Sequence, residues 1–215
     1  MQPEPQPTFY ESLEALPEGL TGEILNGQLH TQPQPSGAHA VASSTLGGEL
    51  FGPFHKGRGG PGGWWILDEP ELHFVRDIEV AVPDLAGWRR ERMPVPLEDH
   101  RFEVVPDWVC EILSPSTGSK DREIKLPLYG HYGVSYAWLI DPLEHTLEAL
   151  RRDPGPGFGS AVSPVPKVAA PPFEAVSIDL QDLWLLPPTG HGIVRRFILF
   201  YMFMGNALRG VPNGP

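Results

Sequence analysis

The chain has 215 residues, enough to bury one sizeable core, and its formal net charge of −11 argues against a protein coated in basic surface for nucleic acid. A lone cysteine, Cys110, excludes a disulfide framework, and no Cys/His pairs stand at zinc spacing. Proline (26) and glycine (24) are both over-represented, so turns and irregular segments should be numerous.

Residues 1–8 are rich in Pro and Gln and read as a disordered segment without the basic and apolar regions of a secretory signal, which makes the cytoplasm the expected compartment. Phe9 to Leu16 carries a short amphipathic helical pattern ended by Pro17. Thr21 to Thr31 predicts a hairpin around Asn26-Gly27, both of which tolerate the positive φ of a type I′ turn, with Glu23 on its first strand. Ser36 can cap a helix running to about Phe51, and residues 52–63 (GPFHKGRGGPGG) read as a mobile glycine-rich loop.

One strand is expected from Trp64 to about Phe74 and its antiparallel partner from Ile78 to Trp88, with Pro83 at a strand end or bulge and Asp84 directly after it. Arg89 to Pro106 reads as a surface loop. Trp108 to Leu113 (WVCEIL) is a strand, Ser114 to Thr117 a turn, and Ser119 to Tyr132 a helix kinked or restarted at Pro127. Strands follow at Tyr136–Ile140 and Thr146–Arg151, then a loop over 153–172 and a last strand or short helix over Ser177–Leu185. The apolar run Ile193 to Met204 is broken by Arg195 and Arg196 and is shorter than the roughly 20 residues of a spanning helix, so no membrane segment is expected.

Glu111 is the one charged residue in an otherwise apolar strand, sharing a face with Val109 and Leu113 while Trp108, Cys110 and Ile112 take the other. A carboxylate buried there requires a cation, either a metal or a lysine. Asp84, 27 positions earlier, offers a second carboxylate at a strand end, and two such groups on adjacent strands suit Mg²⁺. Lys125, four residues after Asp121, could reach back to the strand end, with Lys120 the competing lysine.

These residues also carry a resemblance. Glu23 in GEILNGQLH, Pro83-Asp84 in VPDLAGW, Glu111 in EILSPST, Asp121 and Lys125 in DREIK, Tyr129, and GVSYAWLIDP from Gly133 to Pro142 resemble the Uma family, a branch of the PD-(D/E)xK nuclease superfamily. The resemblance covers about residues 9–184 and leaves 185–215 as an atypical extension. It implies a restriction-endonuclease-like α/β (α+β) fold, a mixed central sheet flanked by helices, and Mg²⁺ as cofactor with Mn²⁺ able to substitute. By the same analogy Glu23 joins the pocket. The superfamily lysine two residues after the glutamate is Leu113 here, so that role passes to Lys125.

Bland readings stand beside these: Glu111 as a buried carboxylate satisfied by a backbone amide or a lysine, Asp84 as a turn residue after Pro83, Lys125 as a solvated helix lysine paired to Asp121, and Glu23 as an exposed hairpin charge. His39, His55, His73 and His131 read as surface or capping residues, Cys110 as a small core hydrophobe, and Trp64-Trp65 as core and sheet edge. The expectation is a Mg²⁺-dependent endonuclease acting on DNA as a homodimer, with Asp84 and Glu111 holding metal, Lys125 assisting the attacking water and Glu23 supporting the cluster. Two rivals are an inactive nuclease-fold binding partner and an assembly protein docking through its C-terminal apolar segment.

Overall fold

Two proline-bearing links, Glu69-Pro70 and Val82-Pro83-Asp84, divide what the sequence presents as one long hairpin. In the computed structural model, which describes residues 6–96, 98–152, 158–163 and 167–185, the run after Gly63 breaks into β3 (Trp64–Asp68) and β4 (Glu71–Val75). Its partner likewise breaks into β5 (Glu79–Ala81) and β6 (Leu85–Arg89). β4 pairs with β5 and β3 with β6, both antiparallel, but in different sheets. Glu69 takes a φ of 43°, and the two prolines, lacking a ladder donor, suit the crossing points. The single expected hairpin is thus two.

The N-terminal hairpin joins β1 (Leu20–Leu25) to β2 (Gln28–Pro33) through Asn26 at φ 52° and Gly27 at φ 70°. Before it, α1 (Phe9–Glu14) starts on a Thr8/Glu11 capping box. Among the described residues one sheet runs β2-β1-β5-β4-β7, where β7 is Arg101–Phe102. The other runs β11-β10-β9-β8-β6-β3, with β8 at Trp108–Ile112, β9 at Tyr136–Asp141, β10 at Thr146–Arg152 and β11 at Phe158–Ser163. β8 and β9 are parallel while the other pairs of this sheet are antiparallel, so the architecture is mixed α+β.

Each face of the six-stranded sheet buries its own core. On one side lies α2 (Gly37–Leu50), whose Ser36 cap accepts the His39 amide and whose Ala42, Leu46 and Leu50 repeat every four residues. They meet Trp108, Cys110 and Ile112, and Phe173 packs against the rings of Phe54, Trp64, Trp108 and Trp138. Full burial of Leu46 and Leu50 contributes on the order of 2 kcal/mol each. On the other side Val109, Leu113 and Leu139 meet Leu128 and Tyr129 of α4 (Leu126–Tyr132). Gly87 is pressed between Trp64 and Trp108, where an added Cβ would lie 3.2–3.3 Å from both rings and from Ile66.

Several irregular segments depart from expectation. Phe51–His55, the start of the expected glycine-rich loop, continues α2 as a π-helical turn. The helix after β8 is built from α3 (Gly118–Lys120), a π-helical turn (Asp121–Lys125) and α4, so its irregularity precedes Pro127. The stretch 153–172 contains β11 and β12 (Lys167–Val168), the latter pairing with β13 (Ile178–Asp179) ahead of a 3₁₀ turn, Leu180–Leu183. Among the described residues no helix is long and apolar enough to cross a membrane. The expected disordered start lies largely, and the C-terminal extension almost wholly, outside the described residues.

Candidate active site

The link Val82-Pro83-Asp84 carries the chain from one sheet to the other, and the charged groups gather around it. One step beyond the Leu85–Cys110 pair, Asp84 stands across from Glu111. Its Oδ2 accepts the main-chain N–H of Ile112 at 2.5 Å, and its Oδ1 lies 3.1 Å from Nε2 of His39 in the first turn of α2. A side chain held at both oxygens has little rotameric freedom.

Lys125 is the hub of the buried part. Its Nζ lies 2.8 Å from Glu111 Oε2 and 2.8 Å from Glu23 Oε1, and it donates to the Val82 carbonyl at 3.0 Å. Glu111 Oε1 accepts the Tyr129 hydroxyl at 2.5 Å. Glu23 also accepts the Val82 N–H at 2.9 Å and the Lys120 ammonium at 2.5 Å, and Lys120 reaches Gln32 Oε1 as well. The π-helical turn places Lys125 and Asp121 in this interior, where both are buried.

A cleft of about 310 Å³ opens above these groups, and Asp84, Glu111, Asp121, Lys125, His39 and Glu69 all contribute to its wall. The remaining wall is mainly neutral: Gln32, Gln34 and Ser36 on one side, Ser114, Ser116 and Thr117 on the other. Burial pushes the Glu111 carboxyl well above the ordinary range, with Asp121, Asp84 and Glu23 adding to the push and Lys125 opposing it. Asp121 and Glu69 are likewise raised, chiefly by burial. Burial works against the Lys125 ammonium, but Glu111 and Glu23 prevail and hold it firmly protonated. Glu23 resists the upward push of burial because Lys125 and Lys120 hold it below the ordinary range.

The cleft therefore has more carboxylates than cations, all presenting hard oxygen donors. Among the described residues no three His, Cys, Asp or Glu side chains converge as a ready-made cage. Mg²⁺ needs only one or two carboxylates, since it keeps most of its waters, and Asp84 and Glu111 are the residues of this wall that could hold it.

The structure brings Asp84, Glu111 and Lys125 to one cleft, and puts Glu23 behind the lysines rather than in the cleft wall. Cys110 faces the opposite core from Glu111, with its thiol raised by burial. Three histidines differ from expectation. His39 is at the site, His73 is buried between Glu71 and the Asp77 amide, and His55 accepts the Ile66 amide; His131 is exposed. Asp121 is marked in the sequence by its spacing from Lys125, whereas His39 carries no such signal, because what recruits it is the packing of α2 beside Asp84.

A family model described as "Putative restriction endonuclease", Uma2, matches residues 7–181. The chain belongs to the Uma2 family. Among solved structures, this Uma2 chain is similar to a crystal structure of a "putative nuclease belonging to DUF820" from Anabaena variabilis ATCC 29413. The two share 24% identity over 83% of this chain and 97% of the other, at a TM-score of 0.66. The likeness fixes the fold as that of this relative. No curated protein matches the Uma2 sequence.

Proposed function

We propose that this chain is a Mg²⁺-dependent endonuclease of the PD-(D/E)xK kind that hydrolyses phosphodiester bonds in DNA. The observation that carries the reading is that Asp84, just before β6, and Glu111 of β8 line one cleft, with the Lys125 ammonium against Glu111. Membership of the Uma2 family supports it.

Bound between Asp84 and Glu111, Mg²⁺ would supply a polarised water and screen the charge growing on a scissile phosphate, and Mn²⁺ could replace it. The chain's own residues do the rest. Ile112 N–H and His39 fix Asp84, while Tyr129 and Lys125 fix Glu111. Lys125, permanently cationic, serves as an orienting and charge-stabilising group rather than as a base. Glu23, itself held by Lys120, holds Lys125 in place, which makes Glu23 a positioning residue in this reading. A homodimer would present two such clefts and cut both strands.

The test is plasmid cleavage with Mg²⁺ and with Mn²⁺, comparing wild type with Asp84→Ala and Glu111→Ala. Metal-dependent nicking abolished by either substitution is the expected result, and cleavage indifferent to both overturns the proposal. A second reading, an inactive nuclease-fold binding partner, draws on the acidity of the chain and on Glu111 having both oxygens already engaged. Metal binding without cleavage of any nucleic acid would select it.

A further inference from the structure

Positive charge is scarce in this chain, and its placement is uneven. Arg76, Arg101, Arg122, Lys120, Lys125 and Lys167 each have a carboxylate within 4.0 Å. Lys56, Arg58, Arg89, Arg90, Arg151 and Arg152 have none among the described residues. All six lie at one end of the six-stranded sheet. The register shows it: Arg89 pairs with Trp64, Gly87 with Trp108, Trp108 with Tyr136, and Tyr136 with Arg151. Lys56 and Arg58 reach the same end through the turn before β3, because Arg90 bonds the carbonyls of both His55 and Trp64.

Aromatic faces, not carboxylates, hold several of these cations. Arg90 lies 3.9 Å over the Trp65 ring, Arg89 4.6 Å over Trp64 and Lys56 5.1 Å over Phe51. Their charge is therefore supported without being neutralised, and five of the six are exposed. Among the described residues the acids near Arg89 do little to cancel it: Asp107 is taken by Arg92 and the Arg89 amide, leaving Glu91 as the exposed one on this turn. From β3 to β10 the row crosses four strand spacings, about 19 Å. That is the length of roughly five or six phosphate steps along one nucleic-acid strand at about 3.4 Å each.

The cleft is poorly suited to supply this grip, since the carboxylates of its wall outnumber Lys125 and His39, and Lys125 is already paired. It also lies at the other end of β6, about 17 Å away for five strand residues. We propose that the Arg89–Arg151 end of the sheet is a phosphate-backbone-binding face for nucleic acid, separate from the cleft. The inference rests on the nuclease reading only for the choice of polyanion.

The test measures binding of a labelled DNA duplex of about 30 base pairs by fluorescence anisotropy in EDTA, between about 50 and 200 mM salt. Replacing Arg58, Arg89, Arg151 and Arg152 by Ala should weaken low-salt binding more than tenfold and reduce the salt slope by about three to four, at roughly 0.9 per phosphate contact. The double variant Arg151→Ala/Arg152→Ala, at a strand end remote from the Trp64 ring, should give about half that change in slope. A control removing the ion-paired Arg76, Arg122 and Lys167 should leave the slope unchanged. Absence of duplex binding by wild type, an unaltered slope in both arginine variants, or an equal loss in the control overturns the inference. So does binding of phosphatidylserine vesicles, or self-association, that depends on these arginines while duplex binding does not. Binding is read without divalent metal, so failed cleavage would remove the nuclease reading and leave this result standing.

Discussion

The Lys125 ammonium and the Glu111 carboxylate lie 2.8 Å apart, both almost wholly withdrawn from water. Such a pair is expensive to desolvate and more expensive to break, because the surviving charge has nowhere to go. Lys125→Met should therefore cost about 3–5 kcal/mol of stability, measured by urea denaturation, since it leaves Glu111 without a cation and Glu23 with Lys120 alone. A Lys125→Met/Glu23→Gln double variant should recover part of that loss but none of the cleavage. Recovery of cleavage in the double variant would show that Lys125 acts only in folding.

Divalent metal should stabilise the fold through Asp84. With free ion at about 100 times its dissociation constant, the gain is about 2.7 kcal/mol, visible as a rise in Tm over an EDTA baseline. Asp84→Asn keeps the acceptor for the Ile112 amide but removes the charge, so it should fold in EDTA as wild type does and lose most of the Mg²⁺ increment. A full increment in Asp84→Asn would place the ion elsewhere.

How much of this was legible in advance depended on whether a residue's role was local. Asn26-Gly27 turns wherever flanking strands allow, Ser36 caps α2 through its own backbone, and the alternation in WVCEIL assigns Glu111 to the face opposite Cys110. These needed no partner. The division of Trp64–Val75 between two sheets did, because an apolar run scores as a strand whichever sheet receives it. Phe158–Ser163 was hidden among prolines and glycines and becomes a strand by pairing along β10. His39 was read as peripheral since nothing within α2 reveals that Asp84 waits across the cleft. Spacing leaves Lys125 and Lys120 as competing lysines, and only the fold reveals that Glu23 holds both.

Glu23 should make stability pH-dependent in a defined direction. Its folded-state pKa is lowered from the ordinary 4.5 by Lys125 and Lys120 against the push of burial. A depressed carboxylate stabilises above its unfolded pKa and loses that contribution as pH falls through the folded value. Wild type should thus lose stability steeply below about pH 4.5, whereas Glu23→Gln should start lower and show a shallower decline. Parallel curves for the two proteins would remove Glu23 from the acid transition.

Glu111 should show the opposite sign. Burial raises its pKa against the pull of Lys125, with the neighbouring carboxylates adding to the rise, so its contribution to stability declines as pH rises from the unfolded toward the folded value. Gln at this position presents a carbonyl oxygen able to accept from Tyr129 or Lys125 without the burial cost of a charge. Glu111→Gln, which leaves Lys125 paired with Glu23 alone, should therefore compare more favourably with wild type near pH 8 than near pH 5, as read by denaturation at both pH values. It should also abolish metal-dependent cleavage, lowering the rate by at least about a hundredfold if the carboxylate is a ligand. Marked destabilisation of Glu111→Gln near pH 8, with cleavage intact, would instead make Glu111 a structural partner of Lys125.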